Sequence, residues 1–121
     1  MKKEFTIERE ERSFFRAYVE MIKPFLKGIR NREADVFAEL LYQCSKRNNM
    51  DKVDMFQLVL GKSTREAMTT YLGISTAIFR NALTGLRGRK LIKDDNSIPD
   101  VYLVSPKDGK LSLIFNFVIK S

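Results

Sequence analysis

Residues 63–92 read STREAMTTYLGISTAIFRNALTGLRGRKLI, and this stretch decides the fold. It predicts two helices joined by a tight turn at Leu72-Gly73-Ile74-Ser75, followed by a short extended segment. Glycine tolerates the positive φ that the backbone often takes as a helix ends. Ser75 can then cap the next helix, because its side-chain oxygen can accept a bond from an unpaired amide.

The second of these helices has two unlike faces. One face repeats apolar residues at helical spacing and is predicted to be buried; it consists of Phe79, Ala82, Leu83 and Leu86. The opposite face has no acidic side chain and consists of Thr76, Ala77, Arg80, Asn81, Thr84 and Arg87. Because these polar groups can bond phosphates and base edges, the pattern predicts a helix-turn-helix with an exposed second helix.

The positive charge is concentrated on the same stretch. The chain of 121 residues has a formal net charge of +7. Residues 60–93 hold seven basic side chains against Glu66 alone, a net charge of +6. A solvated basic surface is the alternative, but the coincidence of charge with the motif favours a surface that binds a polyanion.

Composition limits the possible functions. A chain of this length is most simply one domain, and its 44% hydrophobic content is that of a globular protein. The sequence contains no histidine and one cysteine, so most metal sites and histidine-assisted nucleophilic catalysis are excluded. The acidic residues that remain, such as Asp94 and Asp95, fall in predicted loops. We therefore expect neither an enzyme nor a cofactor.

The same composition bears on location. No apolar run approaches the roughly 20 residues that span a bilayer, and the N-terminus lacks the pattern of a signal peptide. Cys44 lies in an apolar helical stripe, where a small buried thiol is expected. A single cysteine cannot form an intramolecular disulfide, so we expect a cytoplasmic protein of a prokaryotic cell or a virus-infected host cell.

Two helices are predicted before the helix-turn-helix. Residues 1–30 form an N-terminal extension whose helix begins near Glu11 and ends near Pro24. Its apolar face either packs on the same chain, which we favour slightly, or forms a dimer surface. The residues of this face are Phe14, Phe15, Tyr18, Val19 and Ile22. A second helix is capped by Asn31 and ends before Asn48, and its buried stripe is Val36, Phe37, Leu40, Leu41 and Cys44.

The segment between that helix and the motif is ambiguous. Residues 51–62 predict either a short strand or a helical turn. A phosphate-binding loop at Gly61-Lys62-Ser63 is rejected, because Phe56 stands where the motif needs glycine. Ser63 and Glu66 predict a capping box, and the helix that follows is predicted to bury Ala67, Met68, Tyr71 and Leu72.

After the motif the pattern predicts strands. Leu91-Ile92 and residues 101–104 flank a loop rich in turn formers and predict a β-hairpin, or wing. Asp108-Gly109 predicts a second hairpin that leads into a last strand, residues 111–119. The predicted fold class is thus α+β: a winged helix-turn-helix with three to four helices followed by a small antiparallel sheet, in which residues 31–121 form the core.

Residues 63–106 resemble winged helix-turn-helix DNA-binding domains, and in particular plasmid and phage replication initiators of the RepL type. The matching residues are Leu72-Gly73-Ile74-Ser75, Ala82-Leu83, Leu86, Leu91-Ile92 and Tyr102-Leu103-Val104-Ser105-Pro106. The resemblance implies a recognition helix that enters DNA. This chain differs in having Thr69 and Lys90 where many relatives have alanine and glycine, and in its acidic wing tip, Asp94-Asp95-Asn96.

Two functions follow as expectations. The first is sequence-specific binding of double-stranded DNA by a transcription regulator or replication initiator, as a homodimer formed through the N-terminal helix or the last strand. The predicted DNA-binding residues are Lys62, Arg65, Ser75, Thr76, Ala77, Arg80, Asn81, Thr84, Arg87, Arg89 and Lys90. The alternative is a protein-interaction module that docks on a polymerase, replisome or virion component.

Overall fold

The computed structural model describes residues 2–8, 11–26, 28–104 and 110–116. Within these ranges it contains five α-helices: α1 Glu11–Ile22, α2 Asn31–Ser45, α3 Lys52–Val59, α4 Lys62–Leu72 and α5 Thr76–Gly88. Two short 3₁₀ helices, Lys23–Phe25 and Asp100–Tyr102, lie after α1 and after α5. Strands β1 Lys2–Glu8 and β2 Lys110–Asn116 pair antiparallel, with Lys2 opposite Asn116.

Helix α2 is the centre of the structure, because α1, α3, α4 and α5 all contact it. Its predicted stripe is confirmed, since Val36, Phe37, Leu40, Leu41 and Cys44 are all buried. The predicted cap at Asn31 is wrong, because Asn31 is the first residue of α2 and Arg30 occupies the capping position. Glu33 Oε1 accepts a hydrogen bond from the Arg30 amide at 2.8 Å, which satisfies one of the donors that a helix start leaves unpaired.

Helix α1 packs its apolar face on α2 of the same chain. The residues of this face are all buried, as predicted: Phe14, Phe15, Tyr18, Val19 and Ile22. Pro24 lies in the 3₁₀ turn that follows, where its missing amide costs no α-helical bond. None of the helices in the described ranges is long and apolar enough to cross a membrane.

The segment before the motif is helical. Asp51 caps α3 by accepting a bond from the Val53 amide at 3.2 Å. The predicted capping box of Ser63 and Glu66 is wrong, because α4 already begins at Lys62. Gly61, and not Ser63, occupies the capping position and takes an extended geometry. Ser63 therefore lies inside the first turn of α4.

The buried face of α4 also differs from the prediction. Thr64 and Met68, one turn apart, point into the core, whereas Ala67 and Tyr71 are exposed and Leu72 is half-buried. The Tyr71 ring instead lies 3.6 Å from the guanidinium carbon of Arg12 on α1. This cation–π contact ties the outer side of α4 to the N-terminal helix.

The predicted α+β fold class is wrong, because residues 11–104 form an all-helical body without a strand. The predicted wing is a loop: the Lys93 amide donates to Ser97 O at 2.8 Å, and a 3₁₀ turn follows at Asp100–Tyr102. The cause is burial on the helices rather than pairing between strands. Leu91, Ile92 and Ile98 all lie in the helical core.

The predicted C-terminal hairpin is also wrong, because β2 pairs with β1 at the other end of the chain. The Asp108-Gly109 turn and the end of the predicted last strand, residues 117–119, lie outside the described residues. Residues 100–104 return across α1 and α2 instead. Tyr18 Oη donates to the carbonyl of Tyr102 at 3.4 Å, and the rings of Phe37 and Tyr102 meet edge to face at 5.8 Å.

We expect Cys44 to be unreactive in the folded protein. Burial raises the pKa of its thiol to about 12, so at pH 8 the thiolate that alkylating agents attack is scarce, and the sulfur is also shielded from solvent. Iodoacetamide should label Cys44 slowly in buffer and completely in guanidinium chloride, as followed by mass spectrometry. Rapid labelling under native conditions would contradict the buried position.

Candidate nucleic-acid interface

Local signals build the turn between α4 and α5 as the sequence predicts. Gly73 takes the left-handed conformation, with φ 66° and ψ 36°. The Gly73 and Ile74 amides donate to the carbonyls of Thr70 and Thr69 at 3.3 and 3.1 Å, which closes α4. Ser75 Oγ accepts from the Ile78 amide at 3.2 Å and caps α5. The two helices therefore form a helix-turn-helix unit.

Helix α5 has the two faces that its sequence predicts. Phe79, Ala82, Leu83 and Leu86 are buried. All six residues of the opposite face are exposed: Thr76, Ala77, Arg80, Asn81, Thr84 and Arg87. We call these six residues the outer face of α5. The buried stripe fixes the helix on the body, so the outer face is held in one orientation.

Arg89 holds α5 in place rather than facing solvent. Its Nε and Nη2 atoms each lie 3.1 Å from Glu33 Oε1 on α2. The Glu33 carboxylate is almost completely buried and lies directly against Gly85, because a Cβ atom at residue 85 would overlap Glu33 Oε2. The sequence predicted Arg89 as a phosphate contact, but the structure places its charge in this pair between α2 and α5.

Arg65 is likewise turned toward the protein. Its Nη2 atom donates to the carbonyl of Leu60 at 3.3 Å, and its guanidinium carbon lies 5.8 Å from the centre of the Phe79 ring. Its Nε atom is buried without a hydrogen-bond partner in the structure. This residue was also predicted to contact phosphates, and the structure places it between the start of α4 and the buried side of α5.

The other predicted cations lie at the surface. Lys62, at the start of α4, and Lys90, just after α5, are exposed. Arg87 is exposed and its Nη2 atom donates to Asn96 Oδ1 at 3.0 Å, a neutral partner that leaves its charge uncompensated. Within the described part of the chain, the side chains of Arg80 and Lys62 make no hydrogen bond or ion pair. These four cations make the surface around α5 positive.

The acidic loop after α5 has a fixed shape. Asp95 Oδ1 accepts hydrogen bonds from the amide and the hydroxyl of Ser97, at 3.0 and 2.5 Å, and these bonds lower the pKa of the Asp95 carboxyl. Asn96, at φ 67°, bonds Arg87. The loop therefore places two carboxylates, Asp94 and Asp95, near the C-terminal end of α5, where they disfavour a nearby phosphate.

Two exposed apolar residues at the turn were missed by the sequence analysis. Tyr71 at the end of α4 is 53% exposed, and Ile78 in the first turn of α5 is 41% exposed. The spacing could have revealed Ile78, because it precedes Phe79 by one residue and so lies about 100° away from the centre of the buried stripe. Ile78 borders the outer face of α5, whereas the Tyr71 ring lies against Arg12 on α1.

Comparisons of the chain with protein-family models, curated proteins and solved structures found no match. The resemblance to RepL-type initiators therefore stays a prediction. Among the described residues, no group of three or more histidine, cysteine, aspartate or glutamate side chains is placed to hold a metal ion.

Proposed function

We propose that this protein binds double-stranded DNA by inserting α5 into the major groove. The observation that carries the proposal is the outer face of α5, which is exposed, contains no acidic residue and carries Arg80 and Asn81 side by side. The major groove admits an α-helix, and guanidinium and carboxamide groups pair with guanine and adenine edges there. Neither side chain has a partner within the described residues, so both are available to bases.

The remaining cations supply sequence-independent contacts. Lys62 lies at the start of α4, Lys90 lies just after α5, and Arg87 lies on the last turn of α5. Exposed lysine and arginine side chains bond phosphates and fix the position of a protein on the duplex. Arg65 and Arg89 act differently in this proposal: they hold the helix rather than the DNA.

The biological role that we propose is regulation of transcription or initiation of replication in a bacterial, phage or plasmid setting. Because α1 is buried on α2, a homodimer through the N-terminal helix is not part of the proposal. Dimerisation through the last strand remains as proposed from the sequence. A single helix reads few base pairs, so two half-sites would raise both affinity and specificity.

The salt dependence of DNA binding tests the number of phosphate contacts. Three exposed residues are candidates for phosphate contacts: Lys62, Arg87 and Lys90. We therefore expect the logarithm of the association constant for DNA to fall with log[salt] at a slope of about −3, whereas five contacts would give about −4 to −5. Fluorescence anisotropy with a labelled random duplex measures the slope between about 50 and 300 mM salt, where the Debye length is on the order of 10 Å. Lys90→Ala should weaken binding to every duplex and reduce the slope by about one.

A matched variant separates specific contacts from total charge. Lys23→Gln removes one positive charge that lies outside the α4–α5 unit and that is already paired, since Lys23 Nζ lies 3.8 Å from a Glu20 carboxylate oxygen. It should leave the slope unchanged. Arg80→Ala should instead reduce the preference for the selected sequence over random duplex. A flat salt response, or no binding to random duplex at low salt, would overturn the proposal.

A protein that binds no duplex DNA would favour the second candidate function, a protein-interaction module. The observation that supports this candidate is the pair of exposed apolar side chains at the turn, Tyr71 and Ile78. Aromatic and aliphatic residues of this kind anchor protein interfaces when a partner covers them.

A further inference from the structure

The hydroxyl of Thr84 is committed to its own helix. Thr84 is exposed on the outer face of α5, and its Oγ1 atom donates to the carbonyl of Arg80 at 3.1 Å. A threonine hydroxyl has one proton, so this bond leaves none to donate to a base, although the oxygen can still accept. At the surface the side chain also offers its methyl group. Thr84, which the sequence predicts as a polar contact, can therefore make an apolar contact as well.

A second methyl group stands one turn before the base-reading residues. Ala77 is exposed, and positions 77, 80, 81 and 84 follow the 3–4 spacing of one helix face. Ser75 lies before these positions, at the cap of α5, where its Oγ atom accepts from the Ile78 amide. Along positions 77–84 the outer face thus places two polar readers, Arg80 and Asn81, between two methyl groups.

This arrangement matches one base in particular. In the major groove thymine alone presents a methyl group, at C5, and alanine and threonine methyl groups make apolar contacts with it. We propose that Ala77 and Thr84 read thymine methyl groups on either side of the purine contacts of Arg80 and Asn81. This inference rests on the proposed binding of duplex DNA and names the base chemistry of that site.

Removing single methyl groups from DNA tests the inference directly. Duplexes that the protein selects from a random pool should contain thymine next to a purine pair. Replacing one such thymine by deoxyuridine removes only the C5 methyl, and the loss of one buried methyl should weaken binding about fourfold. Deoxyuridine at positions outside the selected site serves as the control and should leave the affinity unchanged.

Two substitutions at residue 84 separate the methyl group from the hydroxyl. Thr84→Val keeps a methyl at the surface and removes the hydroxyl, so it should bind the selected duplex as tightly as the wild type. Thr84→Ser keeps the hydroxyl and removes the methyl, so it should bind about fourfold more weakly and should no longer distinguish thymine from deoxyuridine at one position. Circular dichroism and thermal unfolding check that both variants fold.

The outcomes distinguish the inference from the function on which it rests. If the wild type binds no duplex, the proposed function fails and the inference fails with it. If the wild type binds a selected sequence but tolerates deoxyuridine at every position, only the inference fails. Weak binding by Thr84→Val with normal binding by Thr84→Ser would show that the hydroxyl is the reader and would also overturn it.

Discussion

Phe79→Ala is expected to lower the free energy of unfolding by about 3–5 kcal/mol, as large-to-small substitutions of buried phenylalanine do. Phe79 is 0% exposed and belongs to the buried stripe that seats α5 on the body. Its ring also faces the guanidinium of Arg65 on α4, so both helices of the motif lose a contact. Urea unfolding followed by circular dichroism measures the change.

Truncation of an exposed apolar side chain is the control. Val101 is 76% exposed in the 3₁₀ turn after α5, and Val101→Ala should change the unfolding free energy by no more than about 0.5 kcal/mol. If Phe79→Ala does not fold, Phe79→Leu keeps much of the volume and should cost less than about 1.5 kcal/mol. Equal costs for Phe79→Ala and Val101→Ala would contradict the position of α5.

The turn and α5 were predictable because their signals act over a few residues. Gly73 and Ser75 determine where one helix ends and the next begins, and each does so through bonds to residues no more than four positions away. The buried stripe of α5 follows from its helical period alone. For the same reason the residues of the exposed face could be named from the sequence.

The wing was not predictable, because its residues fit a strand as well as a loop. Short apolar segments such as Leu91-Ile92 do not distinguish a strand from a loop that buries them. The choice depends on which surface covers them, and here the helices do. A local pattern cannot report this, since it contains nothing about residues from the other end of the chain. The pairing of β2 with β1 has the same long-range origin.

The roles of Arg65 and Arg89 were missed for a related reason. Both are basic residues in a basic stretch, and nothing nearby in the sequence marks them as partnered. Glu33, which binds Arg89, lies 56 residues earlier in the chain. Counting charges along the sequence therefore overestimated how many cations of this stretch face solvent.

Gly85→Ala is expected to destabilise the protein by about 1–3 kcal/mol, although alanine normally stabilises a helix by up to about 1 kcal/mol relative to glycine. A Cβ at residue 85 would overlap Glu33 Oε2 and lie 2.8 Å from Glu33 Cδ. To make room, the carboxylate must move, and it then loses its bonds to the Arg30 amide and to Arg89. The lost cap and ion pair outweigh the gain in helix propensity.

A double-mutant cycle makes this prediction specific to the contact between α2 and α5. In a Glu33→Ala background nothing remains to clash, so Gly85→Ala should become neutral or stabilising by up to about 1 kcal/mol. The two substitutions would then be coupled by roughly 2 kcal/mol, more than distant residues show.

Gly88→Ala, in the same helix with no atom within 4 Å of the added Cβ, is the matched control and should not destabilise. If Gly85→Ala has the same effect with and without Glu33, the carboxylate does not lie against residue 85. The close packing of α2 on α5 would then need another cause. If the sign reverses, residue 85 is glycine because a buried carboxylate lies directly against it, and that carboxylate sets how α5 presents its outer face.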